Sequence, residues 1–371
     1  TSSISFDSMQ RSCIQIRINT NISLKMHVNF REFRLLNWLL KNSSRAKFNL
    51  AMSGMPEPRL KDMGIETSYE KFSREMDFHE KLLSETIAKL YDVEERNVVI
   101  TTGASEAIFI VYATFCKNRA IVPLPNYEPM FSIPRSLGFQ TLGRLDEKFF
   151  KNGVIVGITN PNNPLGSFDD DENVINVSRT LNRYRGILFT NETYREFKFD
   201  RPCAKQYNMI DNIIVCSSLT KFYGLGRLRI GWIVADGEKS SKLQAAKRLI
   251  SGHSSEYGMW IARQVLEHRT AFVERAKAML ERNMKILKNF VEDTRGIEVA
   301  MPEAAPFCLV KYRMKKDSVS FSQELLNKTK VLVSPGDYFG EHNSFRLCIT
   351  LDEKKLAEGL KILSDYINKM N

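Results

Sequence analysis

The chain has no run of about 18 apolar residues, so nothing in it reads as a membrane span. It has six cysteines (Cys13, Cys116, Cys203, Cys216, Cys308 and Cys348) and no CxxC pair among them. That argues against paired-cysteine metal and redox motifs. Free thiols in a reducing, cytoplasmic setting are the simplest reading. The five histidines have no ligand-like spacing, so no metal site is expected. There is no internal repeat, no low-complexity tract and no RNA- or DNA-binding motif to accompany the net charge of +11. The basic residues are spread along expected helices, as in Lys239, Lys242, Lys247 and Arg248, or Arg275, Lys277, Arg282, Lys285 and Lys288. A solvated basic exterior with anionic ligands fits them better than a nucleic-acid surface. A basic nucleic-acid-associated protein is the reading kept from a different class.

What is present is an ordinary globular composition, 43% hydrophobic and 26% charged, in 371 residues, enough for two domains and a large core. Residues 1–25 are Ser/Thr/Asn-rich and basic, with Asp7 as their one acid. They share that character with transit segments but are expected to be a poorly ordered extension, with Met26 as an alternative start. Phe30, Phe33, Leu36, Trp38, Leu39 and Leu40 keep helical spacing and predict a helix over 30–40, inside an N-terminal segment 26–48. The loop NLAMSGMPEP, broken by Gly54, Pro56 and Pro58, follows at 49–58. A second helix is predicted over 78–90, with Tyr69 ahead of it.

From 97 to 235, short apolar strands alternate with helical stretches, which predicts a mostly parallel, helix-covered sheet. Ligands of such sheets bind at the carboxyl ends of the strands. The chemically suggestive residues follow those ends. TTGASEA opens a helix after the strand 97–100, and its Gly103, Ala104 and Ser105 form an anion cradle of free N–H groups. PNYEPMF after 120–124 offers Tyr127, a flat ring suited to stacking on a heterocycle. NPNNPLG after 154–159 is held extended by two Asn-Pro steps and presents Asn163. NETYREF after 186–190 offers Asn191 and Tyr194. SLTKFYGLGRLRIG, Ser218–Gly231, offers a lysine, Lys221, amid Leu219, Phe222, Tyr223 and Leu225, with Arg227 and Arg229 nearby. Desolvation and neighbouring cations make a lysine amine nucleophilic, and Ser218 with Arg229 can hold an anion. That combination suits pyridoxal phosphate (PLP), which needs a lysine beside an anchored phosphate. Each motif alone has a plainer reading: a strand–helix turn at Gly103, core packing at Tyr127, a structural salt bridge at Arg346, a Gly/Arg-rich surface loop around Lys221.

In this order the motifs resemble those of the class I/II aminotransferases, the fold-type I PLP enzymes, including aspartate and histidinol-phosphate aminotransferases. The resemblance spans about residues 45–371. It implies an α/β large domain at 49–250, a smaller α+β C-terminal domain at 251–371, and a homodimer. It implies that Lys221 carries PLP as a Schiff base, while Gly103, Ala104, Ser105, Ser218 and Arg229 hold the phosphate. Tyr127 would stack on the ring, and Asn163 and Tyr194 would share its phenolic oxygen. Tyr69 would cross to the partner's phosphate. Arg346, on SFRLCIT behind the turn SPGDYFG, would clamp the substrate α-carboxylate, with Ser53, Gly54 and Asn163 on the substrate side.

One position departs from the pattern. The family has Asp where this chain has Asn191, and a neutral amide cannot keep the ring nitrogen protonated. Glu192, one residue on, points to the other face of a strand. The expected function is transfer of an amino group from an L-amino acid to a 2-oxo acid. The alternative is another PLP enzyme, a lyase or decarboxylase, or a PLP-binding protein of low activity.

Overall fold

The computed structural model describes residues 28–75 and 78–370. The extension expected at 1–25 lies outside them. The helix expected over 30–40 runs Arg34–Asn42. Its start is delayed because residues before it are tied to a neighbour: Asn29 N–H and Arg31 N–H donate to the Ser136 carbonyl and hydroxyl. The Glu128 carboxylate then accepts from the free N–H groups of Arg34 and Leu35, at 3.2 and 2.8 Å.

Seven strands make the main sheet, in the order 98–101, 231–234, 213–218, 187–191, 155–159, 119–121, 140–142. All run one way except Gly231–Val234, which is antiparallel to both neighbours. The strands are apolar on both faces, as a helix-covered sheet requires. Val156, Leu188, Val215 and Trp232 face one side, where they meet Leu83, Val174, Trp260 and Phe272 of helices His79–Tyr91, Asp171–Asn182, Glu256–Glu267 and Arg269–Asp293. Ile155, Phe189, Ile214 and Ile233 face the other, against Ile108, Met130 and Leu243 of helices Ala104–Phe115, Glu128–Ser136 and Gly237–Ser251. The edge strand Gln140–Leu142 was not expected from the sequence; it is short and its residues are exposed or half-buried.

A four-stranded antiparallel sheet, in the order 334–335, 344–348, 307–312, 297–299, forms the smaller layer. Its core takes Leu287 and Phe290 from the far end of Arg269–Asp293, with Phe321 and Leu325 of Ser318–Thr329 and Leu356 and Leu363 of Glu353–Asn368. The N-terminal chain joins this layer. Phe48–Asn49 pairs in parallel with Val331–Leu332, and Cys348 N–H donates to the Leu50 carbonyl. Among the described residues no helix is long and apolar enough to cross a membrane, and no group of His, Cys, Asp and Glu could hold a metal ion.

Candidate active site

Strand register brings the candidate residues to one edge. Thr159 lies opposite Asn191, which lies opposite Cys216; Ser218 lies opposite Gly231, which lies opposite Thr101. The carboxyl ends of four strands and the amino end of Gly231–Val234 therefore form a continuous rim. Above it is a cavity of about 410 Å³ lined by Ala104, Ser105, Tyr127, Asn163, Asn191, Tyr194, Ser218, Lys221 and Arg229. No carboxylate lines it.

Lys221 follows the strand Ile213–Ser218. Leu219, Phe222, Tyr223 and Leu225 around it are all buried. Burial, then the Arg346 and Arg229 guanidiniums, lowers the pKa of the Lys221 amine to about 8. Arg227, expected to add charge, instead turns outward and pairs with Glu57 at 3.4 Å. The amine donates to the Ser53 hydroxyl at 2.8 Å. The loop carrying Ser53 lies directly on the lysine's backbone: Met55 N–H donates to the Lys221 carbonyl at 2.8 Å. Gly54 permits this, because a Cβ there would meet that carbonyl oxygen at 2.8 Å.

The anion cradle sits at the other end of the cavity. Gly103, at φ +78°, leads into the helix Ala104–Phe115, whose first-turn N–H groups lack intrahelical partners. Arg229 reaches it and donates to the Thr102 carbonyl at 3.2 Å. A Cβ on Gly103 would lie 2.7 Å from the Arg229 Nη2. Arg229 itself holds φ +55°, a left-handed conformation that a non-glycine residue adopts at a cost. A helix start, a guanidinium held by two carbonyls (Thr102 and Gly226) rather than a carboxylate, and space for an anion between them fit a phosphate.

Between lysine and cradle stand the residues that would meet a flat ring. Tyr127 contacts Phe33 edge-on at 5.9 Å, and burial pushes its phenol up to about 12. Tyr194 is buried against Phe307 at 4.8 Å. Burial raises its pKa, against the pull of Arg346 and a hydrogen bond from Ser53. Asn163 joins two of these groups: its Nδ2 donates to Tyr194 Oη at 3.5 Å and its Oδ1 accepts from Arg346 Nη1 at 2.8 Å. Asn191 Oδ1 accepts from the Thr193 N–H (3.2 Å) and hydroxyl (2.6 Å). A backbone N–H can only donate, so the amide's orientation is set and its nitrogen is turned the other way. Glu192 points away from the cavity; its carboxylate accepts from Tyr207 and lies 3.6 Å from Arg195.

Arg346 closes the site from the smaller sheet. It is buried, and its guanidinium lies between the rings of Phe307 and Phe339, at 5.2 and 4.9 Å. Its partners are Asn163 Oδ1 and, at 2.8 Å, the Ala51 carbonyl. Its Nε has no partner, and among the described residues no carboxylate pairs with it. Burial lowers its pKa. A buried cation without a counter-charge is costly unless a ligand supplies one.

The profile of the family described as aminotransferase class I and II matches residues 52–363. The chain belongs to that family. It is accordingly a PLP-dependent enzyme of the aminotransferase class. It is 25% identical over 295 residues to an aspartate aminotransferase of Pyrococcus horikoshii, covering 72% of this chain and 75% of the other. It is 26% identical over 315 residues to a histidinol-phosphate aminotransferase of Caldanaerobacter subterraneus, covering 81% of each. Its fold matches a PLP-dependent aminotransferase of Streptococcus suis with a TM-score of 0.83, at 22% identity, over 92% of this chain and 99% of that one.

Gly103 and Arg346 adjoin the cavity through Arg229 and Asn163 without lining it, and two further expected residues of this aminotransferase stand apart from it. Tyr69 opens a short helix, packs on Phe72 and Tyr257 at 5.4 and 5.7 Å, and is 66% exposed. Gly54 lines an adjoining cavity with Ser53, Met55, Cys348 and Thr350, which meets the first at Thr220 and Lys221. Three groups went unassigned in the sequence. Thr193 holds Asn191; its hydroxyl two places after an Asn is a turn motif that could have drawn notice. Phe33 and Leu36 line the cavity from the N-terminal segment. The bond from Lys221 to Ser53 joins residues 168 apart and left no local signal.

Proposed function

We propose that this enzyme moves an amino group from an L-amino acid to a 2-oxo acid, with Lys221 as the residue that bonds PLP. The observation that carries the reading is the cavity's charge. An amine of lowered pKa and the Arg229 guanidinium line it with no carboxylate among the lining residues, and the Arg346 guanidinium stands behind it, bonded to the lining residue Asn163. Such a site takes a ligand with two separate anions: a phosphate at Gly103, Ala104, Ser105, Ser218 and Arg229, and a carboxylate at Arg346. When bound, PLP supplies the aldehyde that captures an amine and the ring that delocalises charge from the substrate's α-carbon. Lys221 Nζ would be the residue that holds the cofactor and, once free, the base that takes the substrate's α-proton and returns it. Tyr127 stacks on the ring. Asn163 and Tyr194 would hold the phenolic oxygen, and Gly54 and Asn163 would border the substrate.

We place the boundary between a large and a small unit around their two sheets, with Arg269–Asp293 as the shared helix, since both cores draw on it. We propose a homodimer, supported by Tyr69, Phe78, Leu249 and Ile250, which are 66, 82, 89 and 51% exposed. Tyr69 would reach the partner's phosphate. A solution mass of one chain by sedimentation would sink that reading. We also propose a cytoplasmic setting, supported by five cysteines that are all buried free thiols.

The test is PLP capture. Full chain incubated with PLP and then reduced with borohydride should carry the pyridoxyl group on Lys221, and Lys221→Ala should carry none at that site. Capture elsewhere would end the reading; a panel of amino donors then identifies the substrate. Asn191 favours a second reading in parallel, slow transfer or another outcome at the α-carbon, because no carboxylate stands by to protonate the ring nitrogen.

A further inference from the structure

Ser53 is buried and its hydroxyl accepts from Lys221 Nζ at 2.8 Å. Among the described residues it is the partner that amine has. The hydroxyl also bonds the Tyr194 phenol on its other side. Its loop is fastened on both sides of it. The Ala51 carbonyl accepts from the Ser334 hydroxyl (3.0 Å) and Arg346, the Gly54 carbonyl from Thr350 (2.7 Å), and Met55 N–H donates to the Lys221 carbonyl (2.8 Å). A neutral amine with one N–H so engaged is restricted in rotation about Cε–Nζ, and with it the direction of its lone pair. Preorganising a reacting group on a rigid support is how a site gains rate.

We propose that Ser53 is a positioning residue, which aims the free Lys221 amine at the aldehyde it must attack. This rests on the reading of Lys221 as the PLP lysine. The other groups facing the amine are Arg346, Cys348 and Arg229, with Tyr194 beyond Ser53; Ser53→Ala also removes the bond to Tyr194, whereas Ser53→Thr keeps it.

The experiment follows PLP capture by the full chain, freed of cofactor, from the absorbance of the lysine adduct over a pH range bracketing the amine's pKa of about 8. In the unaltered chain the rate rises with pH to a plateau as the amine loses its proton. Ser53→Ala should lower the plateau roughly three- to tenfold, the worth of one hydrogen bond. It should also move the midpoint to lower pH, because an acceptor that favoured the charged amine is gone. Ser53→Thr should restore both. Ser53→Cys, a poorer acceptor of similar size, carries the same expectation as alanine if Ser53→Ala does not fold. An unmoved midpoint, or a loss that Ser53→Thr shares, makes the serine structural and overturns the proposal. If the unaltered chain captures no PLP, or Lys221→Ala still does, the functional reading fails first.

Discussion

Two arginines in this molecule are equally buried and surrounded quite differently. Arg195, under the main sheet, and Arg346, on the smaller one, are each 1% exposed and each lies over aromatic rings. Arg195 is fully answered: Asp171 at 2.6 Å, Glu192 at 3.6 Å, the Tyr207 hydroxyl at 3.0 Å and the Arg201 carbonyl at 2.9 Å. Arg346 has amide and carbonyl oxygens and no carboxylate. Their pKa values accordingly move in opposite directions. Burial lowers both, but at Arg195 the carboxylates of Glu192 and Asp171 outweigh it. Burial of a charge is therefore not the mark of a binding site; burial without a counter-charge is.

Arg195→Ala attacks the answered side. It strands Glu192 and Asp171, and should lower stability by about 3–5 kcal/mol in denaturant unfolding. The folded fraction should capture PLP at the unaltered rate. A loss below roughly 1 kcal/mol, the value of a surface pair, would erase the contrast. Arg346→Ala attacks the unanswered side and should do the reverse. We expect the specificity constant for an amino donor to fall roughly 100-fold, as when a buried charge loses its partner, with the melting temperature nearly unchanged. Intact turnover would show that the guanidinium has no anion to meet. Asn191→Asp sharpens the comparison by adding a carboxylate to a cavity whose lining has none. It should keep the bonds to Thr193 and speed conversion of bound PLP to its amine form about tenfold, near 1.4 kcal/mol in barrier. Unchanged or slower conversion in stopped-flow spectra would refute the account of the ring nitrogen.

The sheet was legible because its strands are apolar runs punctuated by turns, and the rim residues because they follow those runs directly. Gly103, Tyr127, Asn163, Asn191 and Lys221 could be placed on one edge without knowing the strand order. What was hidden depends on chain segments meeting across long separations. Arg346 meets Asn163 across 183 residues, and Glu128 caps a helix that begins 94 residues earlier. Arg227 and Arg229 were both expected to add positive charge; the left-handed turn at Arg229 sets one beside the cavity, while the other pairs with Glu57. Asn191 was visible as a departure, but its locked amide needed Thr193 to be seen.

The reversed strand Gly231–Val234 makes Lys221 and Arg229 two ends of one hairpin connection. A parallel neighbour would have required a crossover of a dozen residues or more, and the guanidinium would have arrived at the far rim. Here the spacing between Lys221 and Arg229 works as a ruler, cut to the length of whatever spans from amine to anion. One residue inserted among 222–228 would alter that measure.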